Sequence, residues 1–252
     1  MTKIILNGCN GKMGQVISRI VSEDDRFEIV AGLDINTCIE NPYPVYTNPA
    51  ECMEEADVII DFSHPSALSA LLKFASDRNL PIVEATTGLS TEQKAELLEY
   101  SKEIPVFFSA NMSLGINLLI ELSKKATKIL SDRFDIEIVE RHHNQKIDAP
   151  SGTALAIADA ISETMDTPAE FVYDRHSERK KRKKTEIGIH AVRGGTIVGD
   201  HEVIFAGNDE VIELKHSAAS KEVFAVGAVK AAEFMCGKQA GYYSMTDLFG
   251  KL

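Results

Sequence analysis

The chain has 252 residues, enough for one large domain or two modest ones with substantial cores. Hydrophobic residues at 44% and charged residues at 26% fit a globular protein, and a formal net charge of -11 argues against a general nucleic-acid binder. No apolar run reaches the roughly 18 residues of a membrane span, and the N-terminus enters a strand with no leader anatomy, so a cytoplasmic location without membrane attachment is expected.

The first element is a short buried strand, Lys3-Ile4-Ile5-Leu6. It runs into Gly8-Cys9-Asn10-Gly11-Lys12-Met13-Gly14, after which Met13, Val16, Ile17, Ile20 and Val21 recur at helical spacing. Strand, glycine turn and helix together form a dinucleotide cradle: glycines let the backbone approach a pyrophosphate, and the helix N-terminus favours its charge. The spacing is G-x-x-G-x-x-G rather than the commoner G-x-G-x-x-G, and alone it is a weak signal. A second strand, residues 27–33, ends at Asp34, where an acidic side chain holds a ribose diol. Ile35 follows where a basic residue would suit a 2′-phosphate. That favours NADH, with Lys12 a partial substitute for NADPH.

The alternation continues with strands at 57–62, 82–85 and 106–108, separated by helices. Ser90 and Gln93 predict a capping box. This pattern predicts an α/β fold with a doubly wound parallel sheet, whose ligand crevice lies off the carboxyl ends of the strands. Phe62-Ser63, Ala85-Thr86-Thr87-Gly88 and Ser109-Ala110-Asn111-Met112 should line it. His64 reads as a loop or capping residue rather than a catalytic one. The four cysteines, Cys9, Cys38, Cys52 and Cys236, lack metal or redox spacing, so reduced thiols and no metal are expected.

The second half changes character. A long helix is predicted from about Leu114 to Leu130, then an alternating strand at 134–138. Strands follow at 186–192, 196–205 and 211–215, with Gly207-Asn208-Asp209 as a hairpin turn. This suggests an inserted α+β domain with a mixed or antiparallel sheet, residues 114–222. Residues 1–113 plus 223–252 form the dinucleotide domain, to which a helix at 220–235 returns through Val223, Phe224, Val226, Val229 and Phe234. The basic run at 179–184 reads as a solvated, mobile loop or as a cover over a dianionic substrate.

The segment richest in chemistry is Arg141-His142-His143-Asn144-Gln145-Lys146-Ile147-Asp148-Ala149-Pro150-Ser151-Gly152-Thr153-Ala154. Its histidines and lysine are proton donors tunable near neutral pH, and Ser151-Gly152-Thr153 opens a helix whose N–H groups suit an anion. A polar loop before a capped helix has the same residue types. With Glu140 in front, and with the glycine turn, Asp61-Phe62-Ser63, Thr86-Thr87-Gly88, Ala110-Asn111-Met112-Ser113 and His190-Ala191-Val192-Arg193-Gly194-Gly195, the chain resembles the 4-hydroxy-tetrahydrodipicolinate reductase (dihydrodipicolinate reductase) family over essentially its whole length.

The resemblance implies a Rossmann-like cofactor domain with an inserted substrate domain that forms a homotetramer. It implies NAD(P)H-dependent reduction of a cyclic dicarboxylate in lysine and diaminopimelate synthesis. His142 and Lys146 correspond to the family's proton-transfer residues, and His143, Gly152 and Thr153 to its substrate contacts. Gly8, Cys9, Asn10, Gly11, Lys12, Met13, Asp34, Ala85, Thr86, Thr87, Ser109, Ala110, Asn111 and Met112 correspond to its cofactor contacts. Asn144, Gln145 and Asp148 read as loop scaffold. Three positions depart from the family: Ala85 and Lys230 stand where many members have glycine and arginine, and the basic run lacks the usual glycines. A different Rossmann dehydrogenase, or a dinucleotide sensor without turnover, explains the first domain but not the histidine-lysine segment.

Overall fold

A computed structural model describes residues 1–250. In chain order, β1 (Thr2–Asn7) leads to α1 (Lys12–Ser22), β2 (Phe27–Leu33), β3 (Val45–Tyr46) and β4 (Val58–Asp61). Next come α2 (Leu68–Asp77), β5 (Ile82–Glu84), α3 (Thr91–Tyr100) and β6 (Pro105–Phe108). The middle of the chain forms α4 (Leu114–Leu130), β7 (Asp135–His142), α5 (Gly152–Ser162), β8 (Glu170–Val172), β9 (Glu186–Arg193), β10 (Gly199–Ala206) and β11 (Val211–Ala218). The chain then forms α6 (Glu222–Met235), β12 (Gly241–Tyr243) and α7 (Met245–Phe249). Two compact units result, Met1–Leu114 with Glu222–Leu252, and Gly115–Lys221. Among the described residues, no helix is long and apolar enough to cross a membrane.

The first unit holds a seven-stranded sheet in the order β12-β6-β5-β4-β1-β2-β3, all pairs parallel. The order reverses at β1, where the next strands lie on opposite sides, and a doubly wound sheet opens its crevice there. Both faces are covered, which is why the central strands read as unbroken apolar runs. Ile4, Leu6, Ile60 and Val83 pack with α1 and α6 residues, while Ile5, Ile59 and Ile82 pack with Leu71, Leu72 and Leu97. The capping box forms: Gln93 N–H donates to Ser90 Oγ at 3.2 Å, and Ser90 N–H to Gln93 Oε1 at 3.0 Å. Of the expected core face of α6, Val229, Phe224 and Phe234 join the core and Val226 does not. Ala225, Ala228, Ala231 and Ala232 are fully buried, whereas Val226 is 47% exposed, because small residues let the helix lie close on the sheet.

The second unit holds a five-stranded mixed sheet, β11-β10-β7-β9-β8. β10 runs antiparallel to β7 and β11, while β7, β9 and β8 are parallel neighbours. One face is covered, with Ile136, Ile138, Val203 and Phe205 packed on Ile116, Leu119, Ile157 and Ile161.

The basic run is neither free nor beside His142 and His143 of its own chain; Arg182 instead shares the Glu137 carboxylate with His190. Arg182 pairs with Asp135 at 2.8 Å and donates to the Ile136 carbonyl at 2.9 Å, and Lys183 pairs with Glu170 at 2.7 Å. These anchors hold it at the start of β7, roughly 23 Å of extended strand from His142 at the end. β3, β8, β12 and α7 are elements the periodicity does not predict; two to five residues are too short to show a period.

Candidate active site

The alternation of β7 builds the site. Ile136 and Ile138 turn into the core, and the same period turns Glu140 and His142 inward at the strand's end. Glu140 is fully buried. Its Oε2 lies 2.6 Å from His142 Nδ1. Arg193, at the end of the neighbouring β9, clamps both oxygens, Nη1 to Oε2 at 2.7 Å and Nη2 to Oε1 at 2.6 Å. The Ser151 N–H donates to Oε1 at 3.0 Å. Burial alone would raise the Glu140 carboxyl, but the bonds from Arg193, His142 and the Ser151 N–H together hold it below the usual range. An ionised carboxylate only accepts, so His142 carries its neutral-form proton on Nδ1 and Nε2 is left to exchange one.

Ser151 begins the next element. Its hydroxyl caps α5 by accepting from the Ala154 N–H at 3.1 Å and shares a hydrogen bond with His201 Nε2 at 3.0 Å. The His201 ring meets the His142 ring edge-on, with centroids 5.1 Å apart. Burial first, then the neighbouring His142, push the His201 imidazole down to about 4, so it is neutral near pH 7.

The unfolded chain protonates this histidine near 6.5 and the folded chain only near 4. Stability from this group is therefore expected to fall as pH drops from about 6.5 to about 4, by about 3 kcal/mol in all. Denaturant melts of wild type and His201→Gln across that window check it, the variant showing the flatter profile.

Lys146 lies four residues beyond His142. Its Nζ pairs with Asp148 Oδ1 at 2.8 Å. The Lys146 bond holds the Asp148 carboxyl below its usual range, with the Gly152 N–H as a further donor. The Arg193 Nη2 also reaches the Asp148 carbonyl at 2.6 Å. Asp148 thus serves as scaffold in a specific way, bracing the ammonium and meeting the first N–H of α5. His143, the residue after β7, is half-buried. Gly152 is exposed, with open space where a Cβ would stand. Carboxylate, histidine, lysine and an anion-favouring helix start are thereby gathered in one unit. Sequence reasoning missed Glu140, Arg193 and His201 as working parts. Extending the alternation of β7 by two residue pairs was the available signal for Glu140.

The first unit carries a second candidate site. A cleft of about 580 Å³ is lined by Gly8, Asn10, Gly11, Asp34 and Phe62, with exposed His64 at its rim. His64 caps the short helix at 65–67, accepting from the Ser66 N–H at 3.2 Å. Gly8 has φ +78°, and a Cβ there would stand 2.5 Å from the Phe62 carbonyl oxygen. A Cβ on Gly14 would stand 2.1 Å from the Gly8 carbonyl oxygen, so α1 seats against the turn only without side chains. Gly11 caps α1 with no side-chain hydrogen bond. Asp34 Oδ2 accepts from the Asn10 N–H at 2.9 Å, fastening the end of β2 to the glycine turn. A glycine cradle, an uncapped helix start and a carboxylate at the end of β2 fit a dinucleotide. Cys9 enters only through its backbone: its side chain is buried against Gly32, and burial followed by Asp34 pushes the thiol up to about 12. Ala85, Thr86 and Thr87 follow β5, and Ser109, Ala110, Asn111 and Met112 follow β6, at the same edge of the sheet. Lys12 and Ile35 are exposed, while Lys230 pairs with Glu233 at 2.6 Å on the surface of α6.

Comparison with known proteins accounts for both units. Residues 2–112 match the family described as dihydrodipicolinate reductase, N-terminus, and residues 115–249 match dihydrodipicolinate reductase, C-terminus. The chain is 57% identical over 251 residues to a 4-hydroxy-tetrahydrodipicolinate reductase of Caldanaerobacter subterraneus subsp. tengcongensis, covering 100% of this chain and 99% of the other. It is 48% identical over 238 residues to one of Staphylococcus epidermidis, covering 94% and 97%. The fold resembles a dipicolinate-bound dihydrodipicolinate reductase from Paenisporosarcina sp. TG-14, with TM-score 0.83, 23% identity and 97% of each chain covered. The chain belongs to the dihydrodipicolinate reductase family.

Proposed function

We propose that the chain reduces 4-hydroxy-tetrahydrodipicolinate to tetrahydrodipicolinate with NADH or NADPH, in lysine and diaminopimelate biosynthesis. The observation that carries this reading is the buried Glu140–His142 pair beside the start of α5, with Lys146 at its edge. The relatives above bear the name of that reductase, and one solved neighbour holds dipicolinate, a ring dicarboxylate.

The first unit binds the dinucleotide. The N–H groups at the start of α1 and the glycine turn hold the pyrophosphate, and Asp34 accepts from the ribose. Ala85, Thr86, Thr87 and the 109–112 segment line the edge beyond β5 and β6. When bound, the nicotinamide supplies the hydride. In the second unit His143, Gly152 and Thr153 take the substrate carboxylates, helped by the positive end of α5. The Lys146 ammonium stabilises negative charge developing at the ring nitrogen and donates a proton there. The 4-hydroxyl leaves as water, so hydride and that one net proton complete the reduction. His142, its Nδ1 fixed by Glu140, relays at Nε2 the ring proton that moves as water leaves. The solvent-side face of the five-stranded sheet carries Val192 at 43% and Val211 at 57% exposure, which supports burial against other copies in a homotetramer. Free thiols at Cys9, Cys38, Cys52 and Cys236 suit the cytoplasm.

The test is loss of NADH or NADPH absorbance on adding freshly generated substrate to the purified chain. Binding of dinucleotide without turnover would leave only a sensor. Asp34→Ala is expected to weaken dinucleotide binding about tenfold, the worth of one hydrogen bond to a charged group, while substrate affinity stays within twofold. Weakening of substrate alone would overturn the assignment of the first unit.

A further inference from the structure

Three polar side chains stand in one row at the carboxyl ends of the central strands of the first unit. Asn7 on β1 is the register partner of Asp61 on β4, and Asp61 is the partner of Glu84 on β5. Asn7 is 7% exposed, and Asp61 and Glu84 are fully buried. The residues just before them on these strands are leucine, isoleucine and valine, all fully buried, and two carboxyl groups there are costly unless they are satisfied. None of the chemistry above uses them.

Their partners are specific. Asp61 Oδ1 accepts from Asn7 Nδ2 at 2.9 Å and from the Ser63 N–H at 2.9 Å. Asn7 Nδ2 also reaches Ser63 Oγ at 3.0 Å. Glu84 Oε1 accepts from the Thr86 N–H at 2.7 Å. The second oxygens, Asp61 Oδ2 and Glu84 Oε2, are buried and receive no donor among the described residues. Two ionised carboxylates side by side would repel, whereas a single proton between them satisfies both. Burial first, and the adjacent Asp61 second, hold the Glu84 carboxyl well above the usual range. Glu84 therefore keeps the proton and donates it to Asp61, whose Oδ1 already has two N–H donors.

The pair fastens what lies just beyond each strand. Each carboxyl grips the backbone N–H two residues on, Ser63 after β4 and Thr86 after β5. Ser63 lines the 580 Å³ cleft beside Gly8, and Asn7 ties the end of β1 into the same row. We propose that Asp61 and Glu84, bridged by one shared proton, are positioning residues that set the Ser63 and Thr86 strand ends for the dinucleotide. This rests on the dinucleotide reading of the first unit. Glutamate is needed at position 84 because its carboxylic acid accepts from Thr86 with one oxygen and donates to Asp61 with the other. A glutamine amide can do both, and an apolar side chain neither.

The experiment compares wild type, Glu84→Gln and Glu84→Met. Methionine keeps the volume and replaces a buried polar group by an apolar one, a change cores often accept. Calorimetric titration with NADH and NADPH is expected to show Kd raised about tenfold in Glu84→Met and within twofold of wild type in Glu84→Gln. The infrared spectrum of wild type near neutral pH is expected to contain the carbonyl band of a buried carboxylic acid, absent from Glu84→Gln. Absence of that band in wild type would overturn the shared proton, and with it the proposal. Wild-type affinity in Glu84→Met would reduce the pair to a structural feature and overturn the positioning role alone. A wild-type chain that binds neither dinucleotide would overturn the reading of the unit and the proposal together. Should Glu84→Met not fold, the band and the Glu84→Gln affinity decide, since loss of binding in that isosteric variant also contradicts the clamp.

Discussion

Glu140→Gln is expected to lower kcat by about 10⁴-fold while leaving dinucleotide affinity within twofold of wild type. The size comes from inverting a tautomer: when the carboxylate that orients a catalytic imidazole becomes an amide, losses of about that order follow. Here the amide would present its NH₂ to His142 Nδ1 or to the guanidinium of Arg193, and neither arrangement serves both partners. Facing the histidine, it moves the imidazole proton to Nε2 and removes the lone pair that exchanges with substrate. The change also leaves the Arg193 charge without its counter-ion, and breaking such a buried pair costs about 3–5 kcal/mol of stability. Steady-state kinetics with thermal melts separate the two effects, since activity per folded molecule is read well below the melting temperature. A kcat within threefold of wild type would show that Glu140 serves only the fold.

Lys146→Ala is expected to reduce kcat by about 10²–10⁴-fold, the usual span for a lost proton donor, with dinucleotide affinity nearly unchanged. Among the described residues the Lys146 ammonium pairs with Asp148 alone, on a half-exposed loop, so the fold should survive. Lys146→Arg keeps the positive charge but gives up a proton at working pH, since guanidinium does not titrate there. It should recover part of any charge stabilisation and none of the proton transfer. Single-turnover measurement of both variants divides the two roles. Unchanged turnover in Lys146→Ala would remove it from the mechanism.

The parts legible in the sequence were those with a period or a backbone demand. β1 and β2 showed as apolar runs, and the turn from β1 into α1 showed through Gly8 and Gly14, where a Cβ would stand 2.5 and 2.1 Å from backbone oxygens. The His142-to-Thr153 segment showed because several titratable residues precede a helix start. Side-chain pairs that close across the sheet were not legible. Arg193 reaches Glu140 from 53 positions away, and His201 reaches Ser151 from 50. Their meeting depends on the register of β9 and β10 against β7, which no local pattern carries. The place of the basic run was hidden for the same reason: its charge was visible, but not the carboxylates at Asp135 and Glu170 that pin it.

Ser151 gives the site a property that none of its residues has alone. Its N–H holds Glu140 Oε1 while Glu140 Oε2 holds His142, and its hydroxyl caps α5, the helix proposed above to take a substrate carboxylate. The anion receptor and the proton exchanger are therefore linked through one carboxylate two bonds wide. An anion drawn onto the start of α5 pulls on the same backbone that sets the tilt of the imidazole. On the proposed function, a ligand lacking that carboxylate is expected to lose alignment of the ring as well as grip on the helix start.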